Sequence, residues 1–369
     1  MKKQKRKHNR GGKRSIRVIL AGAALLLASA GFMLLASRVP SFAQWYSVNV
    51  YSLLVSAIGR LSGMVSFSVS EICIYILLAV FAGSAVYTVI KCIRRKKAKD
   101  RLFRWFSGVV LGAGILLFLY TAGCGINYYR TPFSEEEGIS VYSYSGDELA
   151  QVCMWLTEEV NARSSQVSRD ENGVMELDAP EGEGAVEAME KLAETYPSLK
   201  GYYPRPKRLL VPEVLSVQGL TGIYLPFTIE ANYNGDITAY NIPFTVCHEL
   251  SHLRGFMEEK EANFIAFLAC INSERMDFQY SGYLSGWVYC MNALYRTDGE
   301  KWMEVREQLD DAALRDLNAN NVFWDSYEGS VRETAEQIND TYLRVNGQAD
   351  GVKSYDRMVD LVVTYFKEI

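Results

Sequence analysis

Three uncharged apolar runs constrain this chain more than any other feature. Residues 18–37 lie between Arg17 and Arg38 and are built almost entirely from Ala, Leu, Val, Ile, Gly and Ser. Residues 72–90 form a second run between Glu71 and Lys91. A third begins after Arg104, is apolar throughout 109–120, and reads as a span over 105–125. A membrane-crossing helix needs about 20 such residues, so each run is long enough. Inside lipid the backbone must satisfy its own hydrogen bonds, which leaves the helix as the form for an isolated run. The expectation is an α-helical membrane anchor of three transmembrane helices over 18–125, preceded by a basic tail at 1–17.

The charges predict how that anchor is threaded. The first 17 residues carry nine Lys or Arg and no acid, and residues 91–104 carry eight more against one Asp. Basic segments next to spans stay in the cytoplasm. An even number of crossings must separate the two, which the first and second spans supply. The third span then carries the chain outward, so residues 126–369 are expected to be extracytoplasmic. Residues 39–67 are apolar in parts but contain Arg60, Gln44 and Asn49. They read as an amphipathic segment on the outer membrane surface rather than a fourth span. The net charge of −4 gives no bias toward nucleic acid, and the basic N-terminus next to a span is explained by topology and anionic lipid.

The remainder reads as an α+β, mainly helical domain. Residues 146–162 and 185–196 place apolar side chains at helical period. Residues 209–217 and 222–233 are rich in Ile, Val, Thr, Tyr and Phe and read as strands. Asn234-Gly235 is a tight-turn signal, and Pro243 suits the first turn of a helix that follows. The seven cysteines form no CxxC pair, so no Cys-based metal site is suggested.

That last helix carries the sequence FTVCHELSHLRG over residues 244–255. In the HExxH spacing, His248 and His252 sit one turn apart on one face, so both imidazoles can reach one metal. Glu249, about 100° round the helix, is placed to take a proton from a water and hand it to a leaving amine. The chain has only three histidines, and the third, His8, lies in the basic tail. A zinc hydrolase needs a third protein ligand and an open position, so the third ligand should be a carboxylate. Glu258, Glu259 and Glu261 follow at once. Glu259 ranks first because it shares a face with Asn263, which can hydrogen-bond a ligating His from behind. Glu261 ranks second and Glu258 third.

HELSH followed by Glu259-Lys260-Glu261-Ala262-Asn263 resembles the gluzincin peptidases, especially the ImmA/IrrE type. In those the third ligand is the first Glu of an ExEA(N/D) helix, which implies Glu259, although the spacing from His252 is shorter here. Over most of its length the chain resembles the bacterial membrane-protein family called domain of unknown function (DUF) 3810. The matching parts are residues 125–130 (GINYYR), the stretch 222–234, Ile242-Pro243-Phe244 leading into HELSH, residues 259–263 and Tyr355-Asp356-Arg357. The resemblance implies a multi-span anchor followed by a zincin-like metallopeptidase domain.

The functional expectation is therefore a membrane-anchored zinc metallopeptidase. His248, His252 and Glu259 would hold Zn2+ and Glu249 would act as general base. The substrate would be a peptide or protein, membrane-proximal or in the cell wall. The oxyanion-binding group is left open among Tyr224, Arg254, Tyr355 and Arg357, and residues 219–234 are a candidate substrate-binding edge strand. The alternative is a non-catalytic envelope receptor, scaffold or assembly protein with a structural zinc, against which the intact Glu249 argues. An intramembrane protease is disfavoured, because only residues 242–247 precede HExxH as an apolar run.

Overall fold

The computed structural model describes residues 2–93, 98–346, 348 and 357–368, with side chains from Gly12 onward. In chain order the helices are α1 (Lys2–Arg38), α2 (Pro40–Tyr46), α3 (Ser52–Leu54), α4 (Arg60–Ser62), α5 (Val69–Ile93), α6 (Ala98–Gly123), α7 (Phe133–Glu136), α8 (Gly146–Ser164) and α9 (Glu181–Thr195). Strand β1 (Lys207–Arg208), helix α10 (Glu213–Ser216) and strands β2 (Gly222–Leu225) and β3 (Glu230–Tyr233) follow. The chain continues with α11 (Asn241–Leu253), α12 (Glu259–Ile271), α13 (Met276–Thr297), α14 (Gly299–Arg306), α15 (Asp311–Asp325), α16 (Ser330–Val345) and α17 (Met358–Glu368).

Three helices among the described residues are long and apolar enough to cross a membrane: α1 from Gly12, α5 and α6, with mean hydropathy 2.4, 2.2 and 1.9. They contain the three runs read from the sequence. The basic tail is not a separate element, because α1 continues back to Lys2. Small residues let α1 and α6 approach closely, as lipid-embedded helices require. A Cβ on Gly114 would stand 2.6 Å from the Gly22 carbonyl oxygen. On the other side of α6, Trp105 donates to Ser84 Oγ on α5 at 3.0 Å.

The ends of these helices meet the rest of the chain on one side. Tyr46 donates to the Ala122 carbonyl at the end of α6 (2.8 Å). Gly123 packs on Pro226. At the start of α5, Glu230 of β3 accepts from the backbone N–H of Val69 (3.1 Å) and Ser70 (2.7 Å). In return Glu71 of α5 accepts from the backbone of Leu210 and Val211 (2.8 and 3.0 Å). Glu230 is itself paired with the buried Lys207 at 2.5 Å, whose ammonium also donates to the Ser62 carbonyl. A carboxylate at the first turn of a helix satisfies orphan N–H groups and complements the helix dipole.

Residues 39–67 differ from the membrane-surface reading. They are helical from α2 through two π-helical turns to α4, and their inner face is a wall of the domain. Tyr51 and Val55 are fully buried in its core, and the Arg60 guanidinium lies over the Tyr202 ring at 4.2 Å. The outer face does expose Trp45, Leu53, Leu61 and Met64. Amphipathic period alone does not say whether the buried stripe meets lipid or protein.

The sheet has the order β1-β3-β2, with β1 parallel and β2 antiparallel to β3, so β2 is an edge strand. The stretch 222–233 is a hairpin rather than one strand. The expected strand at 209–217 is absent. Pairing ends at Arg208, and 213–216 forms helix α10 with Pro212 at its start. Proline has no N–H for a ladder and its fixed φ suits a helix start, which outweighs the β-branched composition. Helices α11, α12 and α13 pack on one another at the centre of the domain, with the sheet on α11. All seven cysteines are free thiols.

Removing one partner of a buried ion pair leaves a charge uncompensated, at a cost of about 3–5 kcal/mol. Glu230→Ala is therefore expected to lower the thermal midpoint of the detergent-solubilised protein strongly. Arg205→Ala, which breaks the exposed Arg205–Glu183 pair, should shift it little.

Candidate metal centre

Helix α11 is buried along almost its whole length, with the His248 side chain 12 % exposed at the point where it borders a cavity. The His248 and His252 rings stand perpendicular, 4.5 Å between centroids. After Leu253 the helix ends at Gly255, whose φ of +98° is a left-handed conformation open to glycine. The reversal lets α12 return alongside and places its first residue, Glu259, across from both histidines. Glu259 Oε2 is 3.3 Å from His248 Nε2 and 3.6 Å from His252 Nε2. All three donor atoms lie within 4.8 Å of one another.

The donor set fits a zinc ion. Tetrahedral ligands about 2.0–2.1 Å from zinc stand roughly 3.3 Å apart, close to the two distances above. Buried polar atoms without partners collect at the same place: Glu259 Oε2, Glu249 Oε2, His248 Nδ1 and Asn263 Nδ2. Buried polar atoms are normally paired, so such a cluster is what a site shaped for a polar guest leaves. His252 Nδ1 lies 2.8 Å from the Phe256 carbonyl, a partner that only accepts. This puts the proton on Nδ1 and frees Nε2 as a ligand.

The three competing carboxylates separate cleanly. Glu261 points away and accepts from the Ser134 backbone N–H and hydroxyl, both at 2.9 Å, at the start of α7. Glu258 precedes α12 and pairs with Lys260 at 3.2 Å. Of the three, Glu259 is the one that lies beside the histidines. Asn263 lines the cavity beside His248.

Burial and mutual charge set the protonation of these groups. Burial pushes His248 down. For His252 burial is outweighed by the Glu259 carboxylate, which lifts it to about 9. Glu259 is held at about 2 by the histidines against its own burial. Burial raises Glu249 to about 8, and a bound dication would act in the opposite sense. Gly222, first residue of β2, presses on this carboxylate: a Cβ there would lie 2.5 Å from Glu249 Oε1.

The cavity holds about 630 Å³. Its walls are the β2 edge, the aromatic face of α11 and α13, the end of α6 with Tyr120 and Cys124, and Asn339 and Tyr342 of α16. Of the oxyanion candidates, Tyr224 borders the cavity but its hydroxyl is bonded to Tyr51 (2.8 Å) and the Gly123 carbonyl (3.0 Å). Arg254 stacks toward Tyr203 and Gly201, outside the lining. Arg357 is exposed and also outside it, and Tyr355 and Asp356 lie outside the described residues. Among the lining residues not singled out from the sequence are Tyr128 and Tyr342, whose hydroxyls lie 3.1 Å apart. Tyr128 stood in the GINYYR segment, whose position in the chain carried no hint of a cavity.

Fold and site together describe a mainly helical, membrane-associated protein with a His–His–Glu cluster on the wall of a cavity beside its apolar helices. The chain belongs to the family described as protein of unknown function (DUF3810), whose model matches residues 46–363. No curated protein and no solved structure matches it.

Zinc titration of the purified chain is expected to give one site. Glu259→Gln should weaken it by more than the roughly 10–100-fold typical of losing an outer-shell partner, whereas Glu261→Gln should leave it intact. In chelated protein Glu249 keeps its proton to about pH 8 when folded, against an ordinary 4.5. The folded state then binds the extra proton, so stability falls as pH rises through that window. Glu249→Gln removes this dependence. Its melting point after chelation should exceed wild type at pH 8, with the gap closing toward pH 4.

Proposed function

We propose that this protein is a membrane-anchored zinc metallopeptidase. The observation that carries the reading is the convergence of His248, His252 and Glu259 next to a buried, unpaired Glu249 at an open cavity. A structural zinc site is closed by four protein ligands. Three donors facing a cavity, with an extra carboxyl beside them, favour a hydrolytic site over the scaffold alternative. When bound, zinc supplies Lewis acidity and makes a water acidic enough to ionise near neutral pH.

The chain's own residues account for the rest. Glu249 accepts the proton of the attacking water and delivers it to the departing amine. Gly222 holds that carboxyl in place. The open side of β2 offers backbone groups to an extended peptide by strand addition, and the aromatic walls take its apolar side chains and exclude water. We assign the hydroxyl of Tyr342, which accepts from Tyr128, as the donor to the carbonyl oxygen. The basic segments at the far ends of α1, α5 and α6 argue that those ends are cytoplasmic, which leaves the domain extracytoplasmic. The substrates are then peptides or proteins of the envelope.

The test uses the full chain in detergent or nanodiscs, with wild type and Glu249→Gln side by side. Both should bind stoichiometric zinc, and cleavage of a peptide library by the variant should fall about 10²–10⁴-fold, the usual share of general acid–base catalysis. Equal cleavage by the variant, or no zinc in a folded wild type, would sink the reading. Gly222→Ala should keep zinc and lose most activity, because its methyl group displaces Glu249.

A further inference from the structure

Helix α16 shows three different faces. At about 100° per residue, Ala335, Asn339 and Leu343 share one side. Leu343 is fully buried and Asn339 lines the cavity. Val331, Ile338 and Val345, each seven residues apart, fall on the flank beside Tyr342, yet they are 61, 65 and 74 % exposed. Glu333, Glu336, Asp340 and Arg344 occupy the opposite flank. Single exposed apolar side chains are ordinary, but an exposed stripe two heptads long, opposed by a charged stripe, is the pattern of a helix lying in a membrane interface.

The tyrosines say where this flank points. Tyr120 is in the last turn of α6, one of the three membrane-crossing helices. Its hydroxyl donates to Asn346 Oδ1 at 2.8 Å and lies 3.3 Å from the Tyr342 hydroxyl. The C-terminal end of α16 is therefore tied to the domain-side end of a span, where the bilayer surface must be. The apolar flank is on the Tyr342 side of the helix, and the charged flank is on the opposite side. Tyrosine is also a residue that settles at this depth. The exposed Trp45, Leu53, Leu61 and Met64 belong to the connection between α1 and α5, which is tied to the same end of α6 through Tyr46.

We infer that α16 lies on the lipid bilayer, with Val331, Ile338 and Val345 immersed at its surface, and forms a lipid-seated wall of the cavity. Asn339 and Tyr342 line the cavity from the same helix, so the cavity lies at membrane level. This rests on the three spans and not on the metallopeptidase reading.

The experiment is site-directed spin labelling of the full chain, one copy per nanodisc. The background is Cys73→Ser/Cys92→Ser, which removes the only cysteines that are not buried. Nitroxides are placed at 331, 338 and 345 and, as aqueous references, at 333 and 336. Melting curves matching the parent show that each variant is folded. Relaxation by oxygen should exceed that by a water-soluble nickel chelate at 331, 338 and 345, and the order should reverse at 333 and 336. If the chelate reaches 338 and 345 as readily as 336, the flank is in water and the inference is wrong. If both reagents are excluded there, protein covers the flank and the inference is equally wrong.

Discussion

The site depends on one reversal of the chain. Helix α11 must stop after His252, and α12 must begin within a few residues, or Glu259 does not meet the two imidazoles. Gly255 makes the turn, but three contacts hold it, two of them from distant parts of the chain. Tyr51 donates to the Leu253 carbonyl at 2.9 Å. Arg130 donates to the Arg254 carbonyl at 3.2 Å while its guanidinium stacks on Phe256. His252 bonds the Phe256 carbonyl from within the site. Each contact satisfies a carbonyl left orphaned at or just past the helix end, which a buried terminus requires. Two of the three donors come from segments next to the long apolar helices.

Site and anchor are thus one mechanical unit. Tyr51 belongs to the segment after α1, Arg130 follows α6, and Glu230 grips the start of α5. The shape of the cavity should respond to how the apolar helices pack, and a domain cut free near residue 127 would lose Tyr51 and the Glu71 contacts. Studies of the site are better made on the whole chain than on the fragment that the domain boundary at 126 suggests.

Much was readable beforehand. Long apolar runs and HExxH are local patterns, in which the period of one helix puts the meaning within a few residues. Glu259 could be ranked ahead of Glu261 and Glu258 because it shares a helix face with Asn263 and because the segment resembles the ExEA(N/D) helix. No strand forms at 209–217 because Pro212 outweighs the β-branched composition, and the inner face of residues 39–67 is buried in the core while apolar side chains stay exposed on the outer face. Tyr128 and Tyr342 were not legible as cavity residues, being 214 positions apart.

By itself the sequence determined that the chain has three helices able to cross a membrane, that its later part is mainly helical, and that His248, Glu249 and His252 occupy adjoining positions on one helix. These follow from hydrophobicity and helical period, which act over short distances. Only the tertiary structure decided that Glu261 serves Ser134 rather than the histidines, that Gly222 abuts Glu249, and that the cavity is walled by α6 and α16. Those facts depend on which surfaces are buried against which, and side-chain packing across a hundred or more residues leaves no periodic trace in the chain.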